Sequence, residues 1–109
     1  MNCFEKADTK TLENLLEETT TVVLFKHSYR CSISSVALNR LQNLCDDLNK
    51  GQKAILLDVI AQRDLSNNIA SKFQIKHESP QLIIVKNGKA VYHASHFDIN
   101  RDAAVELAS

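Results

Sequence analysis

Thr21-Val22-Val23-Leu24-Phe25-Lys26-His27-Ser28-Tyr29-Arg30-Cys31-Ser32-Ile33-Ser34-Ser35-Val36-Ala37 is the stretch that decides the fold. Its start, Thr21 to Lys26, is β-branched and apolar without alternation, the pattern of a strand covered on both faces. A polar run from His27 to Arg30 leads to Cys31, and there the period changes. Ile33, Val36, Ala37, Leu41, Leu44, Cys45 and Leu48 recur at helical spacing. The spacing predicts a long helix ending near Asn49 to Gly51, where glycine offers a stop. A cysteine therefore stands where a buried strand gives way to a helix.

Working outward, Asp8 or Thr9 can cap a first helix with Leu12, Leu15 and Leu16 on one face. Ala54 to Val59 reads as a second buried strand, and Asp64 to Phe73 as a shorter helix carrying Leu65, Ile69 and Phe73. Pro80 precedes the strand Gln81 to Lys86. Asn87-Gly88 joins it to Lys89 to His93 as a hairpin, because both turn residues of the tight form need positive φ. Asn100 can cap a last helix through Leu107, and Cys3 to Glu5 are a candidate for one more short strand. Strands alternating with helices imply an α/β fold in three layers: a mixed sheet with a parallel core and an antiparallel C-terminal hairpin, flanked by helices.

With 109 residues the chain has the length of one domain, residues 1–109, and can build a core without metal or disulfide staples. The 13 basic and 13 acidic side chains balance, so no nucleic-acid footprint is expected. Neither a secretory signal nor an apolar run of about 20 residues is visible, so a cytoplasmic protein that binds no membrane is expected. Three cysteines, Cys3, Cys31 and Cys45, are an odd set with no C-x-x-C pair, which argues against a disulfide framework in a reducing compartment. His93 and His96 are too few for a zinc site. Asp46 and Asp47 read as a solvated face.

The chemistry is expected at Cys31. The first N–H groups of a helix lack intrahelical partners and favour a thiolate, the nucleophile of disulfide exchange. A helix terminus supplies only about 0.3–1 kcal/mol, against about 1.4 kcal/mol for a tenfold shift in ionisation. Further help is therefore expected from the charge of Lys26, His27 or Arg30 and from the hydroxyls of Ser32 and Ser34. Pro80 lies where a proline breaks a sheet or shapes a turn, and a cis Ser79–Pro80 bond is expected.

Cys31-Ser32-Ile33-Ser34 after a strand, with His77-Glu78-Ser79-Pro80-Gln81 before an Asn-Gly hairpin, resembles the thioredoxin superfamily. More narrowly, Phe25-Lys26-His27-Ser28-x-x-Cys31-x-Ile33-Ser34-Ser35 together with Lys76-His77-Glu78-Ser79-Pro80-Gln81 is similar to the monothiol bacilliredoxin family of bacillithiol-using bacteria. The family pattern Thr-Cys-Pro-Ile-Ser carries Arg30 and Ser32 here in place of Thr and Pro, which leaves the nucleophile intact.

The resemblance implies an oxidoreductase with no bound cofactor and bacillithiol as thiol co-substrate. Cys31 would take bacillithiol from mixed disulfides on client proteins. A second low-molecular-weight thiol or a partner redoxin would then reset it. It also implies that the backbone at Ser79, beside Pro80, pairs with the bound thiol. Lys26, His27, Arg30 or His77 would meet the malate carboxylates of bacillithiol. Two other readings stay open: an iron–sulfur module using Cys31, against which the missing Cys-Gly-Phe-Ser-type motif counts, and a redox-inert adaptor. On a helix running to Asn49, Cys45 would lie about 21 Å from Cys31, far outside disulfide reach, and reads as core. Cys3 reads as structural or incidental, and Asp58 as a candidate buried acid.

Overall fold

The computed structural model describes residues 3–18 and 21–108. In chain order the elements are β1 (Glu5–Lys6), α1 (Thr9–Glu17), β2 (Val22–His27), α2 (Ser32–Arg40), a 3-10 turn (Leu44–Asp47), β3 (Lys53–Asp58), α3 (Arg63–Phe73), β4 (Gln81–Lys86), β5 (Lys89–Ser95), a second 3-10 turn (His96–Asp98) and α4 (Arg101–Ala108). One sheet runs in the order β1-β3-β2-β4-β5. β1, β3 and β2 are parallel, while β4 and β5 are antiparallel additions.

The alternation of strand side chains builds two cores. Val23 and Phe25 pack with Ala37, Leu41, Leu82, Ile84 and Ala104 on one face. Val22 and Leu24 pack with Leu12, Ile55, Leu57, Ile69 and Ile83 on the other. All of β2 is buried, which is why its sequence shows no polar alternation. Local chemistry sets the ends. Asp8 Oδ1 accepts from the Thr11 amide at 2.8 Å to start α1, and Asn100 Oδ1 accepts from the Ala103 amide at 3.0 Å to start α4. Asn87 and Gly88 adopt φ of 53° and 78° in the hairpin turn, as expected.

Two expectations are corrected. The helix after Cys31 ends at Arg40 rather than near Asn49. Asn43 takes a left-handed conformation, φ 60°, and a 3-10 turn follows. Arg101 holds this break open by donating to the carbonyls of Gln42 and Asn43 at 3.1 and 3.0 Å. Leu41 and Leu44 stay buried either way, so apolar spacing alone does not separate one long helix from a helix plus a turn. The buried face is also displaced: Ser34 and Ala37 point inward, whereas Ile33 and Val36 are 40% and 50% exposed.

The second correction concerns the cysteines. Cys3 and Cys45 form a disulfide across a sequence separation of 42, with Cα atoms 6.1 Å apart. The chain reversal at Asn43 carries Cys45 off the line of α2 toward the start of β1. The expectation of no disulfide and of simple core packing for Cys45 thereby gives way to a pair, in which Cys3 has a structural partner.

Candidate active site

Two neighbouring strands position the site. β2 and β4 pair antiparallel with Lys26 opposite Gln81, so His27 and Pro80, the next residues outward, stand at one edge of the sheet. The Ser79–Pro80 bond is cis, as expected. Beyond His27 the chain crosses Ser28 to Arg30 and reaches Cys31, the N-cap of α2. The cysteine and the cis-proline turn thus share the C-terminal edge of β2.

Cys31 is the free cysteine and is half-buried. Its amide donates to the Ser28 carbonyl at 3.1 Å, and its carbonyl accepts from the Ser35 amide at 3.2 Å. Both backbone groups are therefore committed to the loop and helix, while the side chain makes no capping hydrogen bond. Ser32, the first helical residue, and Arg30 are exposed beside it.

Ser34 is placed differently from the expectation that its hydroxyl supports the sulfur. Its side chain is fully buried. Oγ accepts from the Ser28 amide at 3.0 Å and lies 2.6 Å from His27 Nδ1. The hydroxyl staples the loop before Cys31 to α2. His27 is correspondingly buried, 3% exposed, and stacks edge-on with Tyr29 at 4.4 Å between ring centroids. The ring expected to lend charge to the sulfur or to meet the carboxylates of a bound thiol thus lies buried against Ser34, beneath the loop that precedes Cys31. Burial lowers its pKa; Lys6 adds to this and Asp58 opposes it.

Lys26, one residue earlier, faces the other side of the sheet. Its ammonium is fully buried and donates to the Ser66 carbonyl at 3.1 Å and to His77 Nδ1 at 3.2 Å. Burial pushes its pKa down to about 8. A protonated lysine only donates, so His77 Nδ1 accepts and the ring carries its proton on Nε2. Burial, Lys26 and Arg63 lower the His77 pKa, and Glu78 opposes them. Lys26 is therefore tied to His77, which is exposed three residues before Pro80.

The turn is clamped from below. Gln81 Nε2 donates to the Lys76 carbonyl at 3.0 Å, Ser95 Oγ donates to Glu78 Oε1 at 3.0 Å, and the His96 amide donates to the Pro80 carbonyl at 3.0 Å. The Ser79 hydroxyl is buried with no hydrogen-bond partner. Asp58 caps the loop after β3, accepting from the amides of Ile60 and Ala61 at 3.0 and 3.1 Å. Among the described residues no group of three or more His, Cys, Asp or Glu side chains is placed to hold a metal, and no helix is long and apolar enough to cross a membrane.

The sequence reading missed the Cys3–Cys45 pair, the Lys26–Ser66–His77 network and the inward turn of Ser34. A lysine inside an apolar strand was the available signal for the second, since lysines are almost never buried without a partner.

A thiol at the head of the helix after a central parallel strand, on the sheet edge that also carries a cis-proline turn, defines a thioredoxin-fold thiol–disulfide redox protein. A solved structure described as having a thioredoxin fold is 33% identical, with TM-score 0.81, covering 95% of this chain and 91% of that one. Trxlp from Edwardsiella tarda shares the fold at 13% identity, TM-score 0.71 and coverage of 97% and 98%. Thioredoxin from Trypanosoma brucei brucei does so at 16%, TM-score 0.70 and 96% and 87%. The family profile for monothiol bacilliredoxin BrxC matches residues 6–104, and the chain belongs to that family.

Proposed function

We propose that this protein is a monothiol oxidoreductase that removes bacillithiol from mixed disulfides on client proteins, with Cys31 as nucleophile. The observation that carries this reading is that Cys31 alone is free and accessible at the cis-proline edge while the other two cysteines are bonded to each other. Cys31 thiolate attacks the bacillithiol-side sulfur, and the client thiolate leaves and takes up a proton. The resulting Cys31–bacillithiol disulfide is attacked by a second bacillithiol thiolate or by a partner redoxin, which frees Cys31. No bound cofactor is needed.

Burial removes Lys26 and His27 from the groups that can meet the malate carboxylates of bacillithiol. Arg30 and the Nε2–H of His77 remain, and the backbone at Ser79 would pair with the amide of the bound thiol. Exposed Ile33 and Val36, in the first turns of α2, offer an apolar surface to the client. Treating the protein with bacillithiol disulfide should leave an adduct on Cys31, located by peptide mass spectrometry. An adduct confined to Cys3 or Cys45 overturns the reading.

A further inference from the structure

We propose that Cys3 and Cys45 are a second redox couple, independent of Cys31, which a low-molecular-weight disulfide closes to latch the N-terminal strand onto the turn after α2. The proposal rests on the placement of the pair and not on the reading of Cys31.

The two sulfurs sit in unlike surroundings. The Cys45 amide points at Cys3 Sγ from 3.1 Å, while Cys45 Sγ lies 3.4 Å from the Cys3 carbonyl. Cys3, which precedes a strand of two residues, is assigned as the attacking sulfur, and Cys45, on a turn tied to α4, as the one that resolves. Both are only half-buried, so a small disulfide has access.

The elements they ride on also differ. Arg101 ties the turn of Cys45 to α4 through the carbonyls of Gln42 and Asn43 and the carboxylate of Asp47. That turn therefore has a tether besides the disulfide. Cys3 precedes β1, a strand of only two residues paired to β3 through Glu5 and Lys6. The N-terminal segment is therefore the moving half of the latch.

Closure balances without any other reactant. Cys3 thiolate attacks one sulfur of the small disulfide, and one thiolate leaves. Cys45 loses its proton and attacks Cys3 sulfur, and the second thiolate leaves. The two protein thiols are oxidised, the small disulfide is reduced to two thiols, and these carry the two protons.

The test uses the full chain with Cys31→Ser, equilibrated in mixtures of glutathione and glutathione disulfide, the probe pair, and quenched by alkylation for mass analysis. As the disulfide share rises, the two thiols should disappear together, the protein becoming lighter by two hydrogens with no lasting glutathione adduct. Adding Cys45→Ser should convert this product into a stable mixed disulfide on Cys3. Amide exchange at Glu5 and Lys6 should be slower in the closed form. A lasting adduct on Cys3 with Cys45 present, a pair that excess glutathione fails to reopen in the folded protein, or equal exchange at β1 in both forms overturns the proposal. Each result is read without any activity of Cys31.

Discussion

The two ends of the sheet treat cysteine in opposite ways. At the C-terminal edge of β2, Cys31 is alone. At the other end, where β1 and β3 begin, Cys3 and Cys45 are joined. From Lys53 to Asp58 the sheet spans about 16 Å at ~3.3 Å per residue, more than twice the Cα separation a disulfide tolerates. The length of the sheet therefore separates Cys31 from the bonded pair, although the chain carries two further cysteines. The comparison also shows that a half-buried cysteine stays free or is bonded according to what lies within reach of it.

The comparison breaks first if the ends are interchangeable. Cys31→Ser is expected to lower release of a client thiol from its bacillithiol mixed disulfide to the uncatalysed background, whereas Cys3→Ser and Cys45→Ser leave that release unchanged. Following release of a client thiol spectrophotometrically separates these outcomes, and loss of exchange in Cys45→Ser removes the distinction drawn above.

The next largest effect is on stability. Closing a ring with a sequence separation of 42 is worth about 4 kcal/mol on the chain-entropy account. Urea unfolding of Cys45→Ser should show a loss of that order against the oxidised parent, and the reduced parent should resemble the variant. A midpoint that does not move would mean that the N-terminal segment is held by β1 and Phe4 alone.

What the sequence made legible follows the same division. The strands showed because residues buried on both faces leave an unbroken apolar run, as in β2 and β4. The Cys31 end showed because its parts are local: a strand, a loop, a helix start, and a proline beside an apolar strand. The Cys3–Cys45 end was hidden, since the pairing depends on a chain reversal at Asn43 that keeps Leu41 and Leu44 in register with a continuing helix. The sequence leaves the Ser34 hydroxyl open between the sulfur and the first turn of its own helix, and the structure turns it inward with Ala37. His27 and Lys26 are adjacent in sequence and serve opposite faces, a consequence of strand alternation that a strand buried on both sides does not display in its sequence.

Lys26 supplies a pH test confined to the Cys31 end. Below about pH 8 its ammonium is charged in both folded and unfolded chains, and the cost of burying it is fully present. Between about pH 8 and the ordinary value of 10.5 the folded chain releases the proton while the unfolded chain keeps it, so stability rises with pH. The slope approaches 1.4 kcal/mol per unit, about 3 kcal/mol over the window. Lys26→Met should lack this rise relative to the parent when urea midpoints are compared across that range, while the Cys3–Cys45 bond remains intact. Parallel curves for the two proteins would mean that the ammonium is solvated.

The smallest effect sharpens the account of how the lone thiol is held. Ser34→Ala deletes the oxygen that accepts from the Ser28 amide at 3.0 Å and meets His27 Nδ1 at 2.6 Å. A buried ring nitrogen and a part-buried amide then lose a partner, at a cost of about 2 kcal/mol. The parent should already lose stability in acid, because the buried His27 has a lowered pKa. As pH falls through about 6.5 the unfolded ring takes up its proton before the folded one. If the hydroxyl acts by holding the loop, Ser34→Ala should lower stability and loosen the amides of Ser28 and Cys31 to hydrogen exchange. The adduct on Cys31 should still form. Failure to form the adduct in a folded Ser34→Ala protein would place the hydroxyl at the sulfur after all, and the staple described here would be the wrong account of it.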